Sequence, residues 1–488
     1  MRHMLHGTAL AMLLTLCGCA TIPPPAGGHS DDARYRADTK NVILFIGDGM
    51  GISTVTATRI YDGQSRGLDG ESNVLPFERF PNVALVKTYN SNQQVPDSAG
   101  TASAIHTGVK TRAGVINIGP SARRTDCAEA LSASLPNLGE LAVARGKAVG
   151  IVTTARITHA TPATVYAHSA DRDWEHDRAI PDADRRSGCT DIASQLMHFP
   201  FAVALGGGTA QFFGKDNNGA RLADDADLPG DWVARTRGHY VQTRAELIQA
   251  ASAPGSLLGV FSPSHMGYTL DRRSGSTEPT LTEMTEVALD RLLKEKNGFY
   301  LMVEGGMIDH GHHEGRAAYA LADAQEFVRA IQLALSKVDL SNTLILVTAD
   351  HSHTLTIGGY PTRNNPILGL VVENDARGEP EDHPALAADG QPYTTLGYHN
   401  GPGAVVSPRP APGLEPKDRQ QALIPTGDVF GNHRSLSESH GGEDVPLYAT
   451  GAGSAAVHGV IEQNEIFDII ANALKLQGAR SHGQPRKK

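Results

Sequence analysis

The sequence predicts an α/β protein: a doubly wound, mostly parallel sheet flanked by helices, with an inserted surface subdomain. Three observations point there. Short apolar runs alternate with helical patterns along most of the chain. Carboxylates and imidazoles gather where those runs end, and open α/β sheets bind their ligands beyond the carboxyl ends of the strands. One late stretch loses the alternation and is crowded with Pro and Gly.

The apolar runs at 41–46, 148–153, 201–205, 257–261, 299–304 and 343–348 read as buried parallel strands. Helical patterns fall between them at 99–108, 138–145, 281–295 and 317–338. From about 358 to 435 the pattern loosens around Pro402, Pro408, Pro410, Pro412 and Pro416, which predicts an insert on the surface rather than a core layer. A strand pattern resumes at 444–449, and 461–474 reads as a last helix.

Composition narrows the function. Of 488 residues, 40% are hydrophobic and 20% charged, ordinary values for a globular protein. The net charge of -10 argues against nucleic acid as a partner, since a phosphate backbone calls for a basic surface. Small phosphorylated ligands stay open, because a local metal cluster reverses the field at one site.

The N-terminus reads as a targeting segment. Arg2 precedes a short apolar run at 9–16, too short to cross a bilayer. The run ends in Leu16-Cys17-Gly18-Cys19, which resembles a bacterial lipobox. Residues 1–18 are then a signal peptide, Cys19 is the lipidated residue and 19–38 is a Pro-containing tether. Ala20 points to the outer membrane, so the expected location is the periplasm or cell surface, lipid-anchored. An ordinary cleaved signal peptide is the alternative. Cys127 and Cys189 remain, as one disulfide or as two free thiols.

Five motifs carry chemistry. In Gly47-Asp48-Gly49-Met50-Gly51 the glycines are spaced differently from a dinucleotide loop, and Asp48 would repel a pyrophosphate but suits a metal. Ser98 opens the helical run after Pro96-Asp97; it is either a plain N-cap or a nucleophile at the positive end of a helix. Asp309 and His313 are four apart in Asp309-His310-Gly311-His312-His313, hence on one helix face and able to share a metal. His310 and His312 point elsewhere, and Glu304, at a strand end, can face a second, harder cation. Asp350-His351 follow another strand, and His440 lies in a glycine-flanked loop.

Together these segments resemble the alkaline phosphatase family from about residue 40 to 475, with the likeness strongest to the animal-type enzymes. The resemblance implies a catalytic domain over 39–480 and hydrolysis of small phosphate monoesters through a covalent phosphoserine at a site of two Zn2+ and one Mg2+. It implies Asp309, His313 and His440 on the first zinc, and Asp48, Asp350 and His351 on the second, completed by Ser98. Glu304 and Thr161 would hold magnesium, with Asp48 bridging. Arg172 matches the phosphate-clamping arginine, and Asp97 orients it; His159 and His310 match positions just behind the metal ligands. A Cys127–Cys189 disulfide and a homodimer are further implications. Animal members bind an extra calcium, but Ser262 stands where one acidic ligand is expected, the loop 215–227 is short, and Glu278 matches a single ligand. Phosphodiesterases and sulfatases of the same superfamily, and a non-catalytic metal-binding lipoprotein, are the rival readings. Ser98 together with Arg172 favours monoester hydrolysis over all of them.

Overall fold

A computed structural model describes residues 39–476 except 273, 405–408, 410 and 425–436. The signal segment, the tether and Cys19 lie outside the described residues, as does part of the 358–435 stretch.

Fifteen strands are described. In chain order they are β1 (Asn41–Gly47), β2 (Asn82–Lys87), β3 (Ala148–Arg156), β4 (Val203–Gly207), β5 (His239–Val241), β6 (Leu257–Val260), β7 (Phe299–Gly305) and β8 (Thr343–Ala349). They continue as β9 (Ser352–His353), β10 (Leu355–Ile357), β11 (Leu396–Asn400), β12 (Ala422–Ile424), β13 (His440–Gly441), β14 (Val445–Gly451) and β15 (Gly459–Glu462). Ten form one sheet in the order β15-β2-β14-β8-β1-β7-β3-β4-β6-β5. The seven strands from β8 to the β5 edge are parallel; β14 runs antiparallel to both neighbours, β2 and β8.

The six apolar runs became β1, β3, β4, β6, β7 and β8. All seven residues of β1 are buried, since helices cover both faces. Register sets the site. Gly47 of β1 pairs with Gly305 of β7 and Ala349 of β8, and Glu304 pairs with Thr153 of β3. β1, β7 and β8 therefore end level, with β3 running two residues further, and Asp48, Glu304 and Asp350 emerge side by side.

The four helical patterns are present as Ser98–Thr107, Leu138–Ala144, Leu281–Leu292 and Ala317–Lys337. The last packs Phe327 edge-on against Phe45 of β1, ring centroids 5.8 Å apart. The expected helix over 461–474 needs correction. Ile461 belongs to β15 and pairs with Val86 of β2, and the helix begins only at Glu465. Val460 and Ile461 are β-branched and extend the sheet edge, which overrode the helical period.

Within the 358–435 stretch and its flanks, β10, β11 and β12 form a separate three-stranded sheet. Its buried Leu355, Leu396, Tyr398 and Ala422 rest on Ala57, Ile60, Ala317 and Leu321 of two helices. A two-stranded ribbon pairs His440 of β13 with His353 of β9, bringing the late loop back over the sheet. Cys127 and Cys189 are disulfide-bonded, with Cα atoms 5.9 Å apart.

Candidate active site

Ser98 is the first residue of the helix Ser98–Thr107, and Asp97, not Ser98, is its N-cap. Asp97 Oδ1 accepts from Gly100 N at 3.1 Å and Asn90 Nδ2 at 2.9 Å, while Oδ2 accepts from Gly114 N at 2.9 Å. With the capping role taken, the Ser98 hydroxyl is free to face the strand ends. Its Oγ lies 3.1 Å from His351 Nε2 and 3.5 Å from Asp48 Oδ1. The positive end of the helix dipole favours negative charge on that oxygen.

Arg172 stands in the same cavity of about 580 Å3, together with Asp97, Ser98, His159, Asp309, His310, His313 and His440. Its guanidinium is held from behind: Nη1 donates to Asp97 Oδ2 at 3.2 Å and Nη2 to His159 Nε2 at 3.0 Å. Asp97 is thus in contact with the guanidinium that the resemblance has it orient.

Three groups of side chains are placed to hold cations. In the first, Asp309 Oδ1 lies 3.4 Å from His313 Nε2 and 3.5 Å from His440 Nε2, and those two imidazole nitrogens are 3.1 Å apart. A carboxylate with imidazoles is a zinc donor set. In the second, His351 Nε2 lies 3.3 Å from Asp48 Oδ1 and 3.4 Å from Asp350 Oδ2. The third is rich in oxygen: Asp48 Oδ2, Thr161 Oγ1 and Glu304 Oε1 are buried without hydrogen-bond partners. Thr153 Oγ1 donates to the other Glu304 oxygen. Unpaired buried oxygens are expensive, and a hard cation such as Mg2+ satisfies them. Asp350 Oδ2 is a fourth such atom.

The charges agree with this reading. Burial, then Asp350 and Asp309, push the Asp48 carboxyl well above the carboxylate range, and burial raises Glu304 to about 7. Burial also opposes ionisation of Asp309, but His313, His353 and His440 outweigh it and hold Asp309 well below that range. Crowded, fully buried carboxylates are stable together when cations neutralise them.

The sequence reading missed two participants. His353, given no role there, contacts Asp309 Oδ1 through Nε2 at 2.6 Å and Glu438 Oε2 through Nδ1. His265 joins His159 and His310 in a cluster of imidazoles. That cluster is a poor cation site, because guanidinium donors face it: Arg172 on His159 and Arg156 on His265. His312 points elsewhere, as expected, between Thr54 Oγ1 at 3.0 Å and Tyr398 Oη at 2.7 Å. Away from the site, Glu278 accepts from Gly267 N at 2.8 Å and Ser262 donates to Ser264 O at 2.8 Å.

Comparison with known proteins fits the geometry. A family model described as alkaline phosphatase matches residues 39–476. The tissue-nonspecific alkaline phosphatase of Felis catus is 42% identical, with 89% of this chain and 83% of the relative covered. The Homo sapiens isozyme is 41% identical, with 91% and 86% covered. Among solved structures, alkaline phosphatase from Thermus thermophilus aligns with a TM-score of 0.64 at 25% identity, over 91% of this chain and 93% of that one. The enzyme of the Antarctic bacterium TAB5 shares the fold, with a TM-score of 0.63 at 23% identity over 91% and 99%.

Fold, site and relatives together define a phosphoric monoester hydrolase. Within that class, the chain belongs to the alkaline phosphatase family.

Proposed function

We propose that this enzyme cleaves phosphate monoesters through a phosphoserine on Ser98, at a cluster of two Zn2+ and one Mg2+. The observation that carries the reading is the Ser98 oxygen, 3.1 Å from His351 and 3.5 Å from Asp48, in one cavity with the doubly braced Arg172.

Asp309, His313 and His440 would hold the first zinc, and Asp48, Asp350 and His351 the second, beside Ser98. Glu304 and Thr161 would hold magnesium, with Asp48 shared; the unpaired oxygens of these side chains fit that assignment. Once bound, the ions supply the positive charge that favours an ionised serine oxygen and neutralises the phosphoryl group.

The protein's own groups do the rest. The Arg172 fork binds two phosphoryl oxygens and presents phosphorus to Ser98 Oγ. Attack forms the Ser98 O–P bond as the ester O–P bond breaks, and the alcohol leaves. Water then attacks phosphorus, the Ser98 O–P bond breaks, and inorganic phosphate departs from Arg172. Asp97 and His159 keep the fork in place throughout, so its order is built before substrate arrives.

Beyond the chemistry, we propose residues 1–18 as a cleaved signal peptide and Cys19 as a lipid anchor at the periplasmic face or cell surface. The Leu16-Cys17-Gly18-Cys19 sequence supports this. A homodimer taking small phosphomonoesters completes the proposal. Mass spectrometry of the mature N-terminus and light scattering test the two structural parts.

The test of the activity is hydrolysis of a chromogenic phosphomonoester at alkaline pH, before and after chelation. Loss of activity on chelation, and recovery only when zinc and magnesium are both returned, is the expected result. Undiminished activity in the fully chelated protein would overturn the cluster.

A further inference from the structure

The placement of Ser98 depends on how its helix sits along its own axis. The N-terminal end is fixed by the Asp97 cap. Near the other end, eight residues on, a second polar side chain is built into the core. His106 has no exposed surface, and a buried imidazole needs partners for both nitrogens.

It finds them on three segments. Nδ1 lies 2.9 Å from Ala102 O of its own helix and 2.9 Å from Thr164 Oγ1. Nε2 lies 2.8 Å from the Tyr300 hydroxyl on β7. Thr164 Oγ1 donates onward to Thr161 O at 2.7 Å. One tautomer satisfies the whole set. Ala102 O only accepts and Thr164 Oγ1 has given its hydrogen to Thr161 O, so Nδ1 carries a hydrogen that both oxygens share, and Nε2 accepts from Tyr300. Tyr300 is four residues before Glu304 on the same strand, and Thr164 is three after Thr161. The strand register leaves Glu304 no freedom relative to Tyr300. One imidazole therefore ties together the segments that carry Ser98, Glu304 and Thr161.

We propose that His106 is a positioning residue, which sets the Ser98 helix in register with the Glu304 strand and the Thr161 turn through hydrogen bonds to Tyr300 and Thr164. An apolar side chain of the same size would fill the volume without fixing that register, because hydrogen bonds are directional and apolar contacts are not. The inference rests on the roles proposed above for Ser98, Glu304 and Thr161. In the neutral form the network is complete. Among the described contacts, the Tyr300 phenol is the only titratable group bonded to the ring, and burial holds its hydroxyl protonated. Among the described residues, no carboxylate bonds to the ring.

The experiment compares the metal-loaded wild type with His106→Leu, which keeps the volume, and with Tyr300→Phe and Thr164→Val, which each delete one partner. Two readouts are taken: kcat against KM, and the Mg2+ concentration that restores half of full activity after chelation. The account expects kcat in His106→Leu to fall about 10-fold, the range for groups that orient metal ligands, with KM little changed and more Mg2+ needed. Tyr300→Phe and Thr164→Val should show smaller changes in the same direction. Wild-type kcat and Mg2+ dependence in the folded variants, whatever happens to melting temperature, would overturn the inference and leave His106 as core packing. If His106→Leu does not fold, the two partner variants decide by the same criterion. Failure of the underlying reading shows separately, as full activity in Ser98→Ala.

Discussion

His353 Nε2 lies 2.6 Å from Asp309 Oδ1, and the opposite nitrogen of the same ring contacts Glu438. Burial works against a charge on this ring, but Glu438 and Asp309 outweigh it and push its pKa up to about 10. A positive imidazole wedged between two carboxylates fixes the rotamer of Asp309. It also ties the segment before His440 to β9. Removing it leaves Asp309 free to rotate. His353→Gln should reduce zinc retention or activity by about 10- to 100-fold, with partial recovery in excess zinc. Elemental analysis after dialysis checks this; a variant that keeps wild-type zinc content and activity contradicts it.

Arg172→Lys tests the fork. Lysine keeps the charge but loses the planar pair of donors, and it cannot reach Asp97 and His159 at once. The expected loss is about 1.5–3 kcal/mol of phosphoryl binding, or roughly 10- to 150-fold in kcat/KM. Weaker inhibition by inorganic phosphate should accompany it. An unchanged inhibition constant would mean that Arg172 does not bind the phosphoryl group.

Gly49→Ala tests the turn after β1. Gly49 has φ 67°, a left-handed conformation that other L-residues adopt at a penalty. A Cβ there would also overlap the His353 ring. Strain and clash together should lower stability by at least about 2 kcal/mol and disturb the Asp309 group. Thermal melting and zinc content report the two effects, and wild-type values for both would contradict the packing described.

Asp323 supplies a pH signature away from the metal groups. It is buried on the helix Ala317–Lys337 and accepts from Thr269 N at 3.1 Å and Thr269 Oγ1 at 3.0 Å. Burial raises its pKa from the usual 3.8 to about 7. Between those two values the unfolded chain gives up the proton while the folded protein keeps it. This group's contribution to stability therefore falls as pH rises through that window and is flat on either side. The loss is on the order of 4 kcal/mol at about 1.36 kcal/mol per pH unit. Asp323→Asn keeps the acceptor from Thr269 N and abolishes the slope. Denaturation of both proteins across the window should show the variant gaining on the wild type as pH rises. Parallel curves would contradict the shift.

Much of this architecture could be read in the chain because the central strands are buried on both faces. Residues 41–46, 299–304 and 343–348 are nearly continuous apolar runs, which surface strands are not. β15 is the edge strand and β2 its neighbour; β2 exposes every second residue and β15 has no buried residue, so their pattern is weak and residue 461 reads as helix for that reason. The metal-ligand candidates were legible because they sit at strand ends in compact motifs. His353 and His265 were not, since their partners are 44 and 109 positions away in sequence and only the fold joins them. The capping role of Asp97 was also hidden: Asp and Ser are equally good caps, and the choice between adjacent residues is made by Gly114, Asn90 and Arg172.

The central claim is that Ser98 carries the phosphoryl group. Its most direct test is to mix the metal-loaded enzyme with a monoester radiolabelled in phosphorus, quench in acid and map the labelled peptide. The account predicts one labelled peptide, with the phosphate on Ser98, absent in Ser98→Ala together with a loss of at least about 100-fold in kcat. Turnover at the wild-type rate by Ser98→Ala, or rapid hydrolysis by the wild type with no label on Ser98, would contradict it.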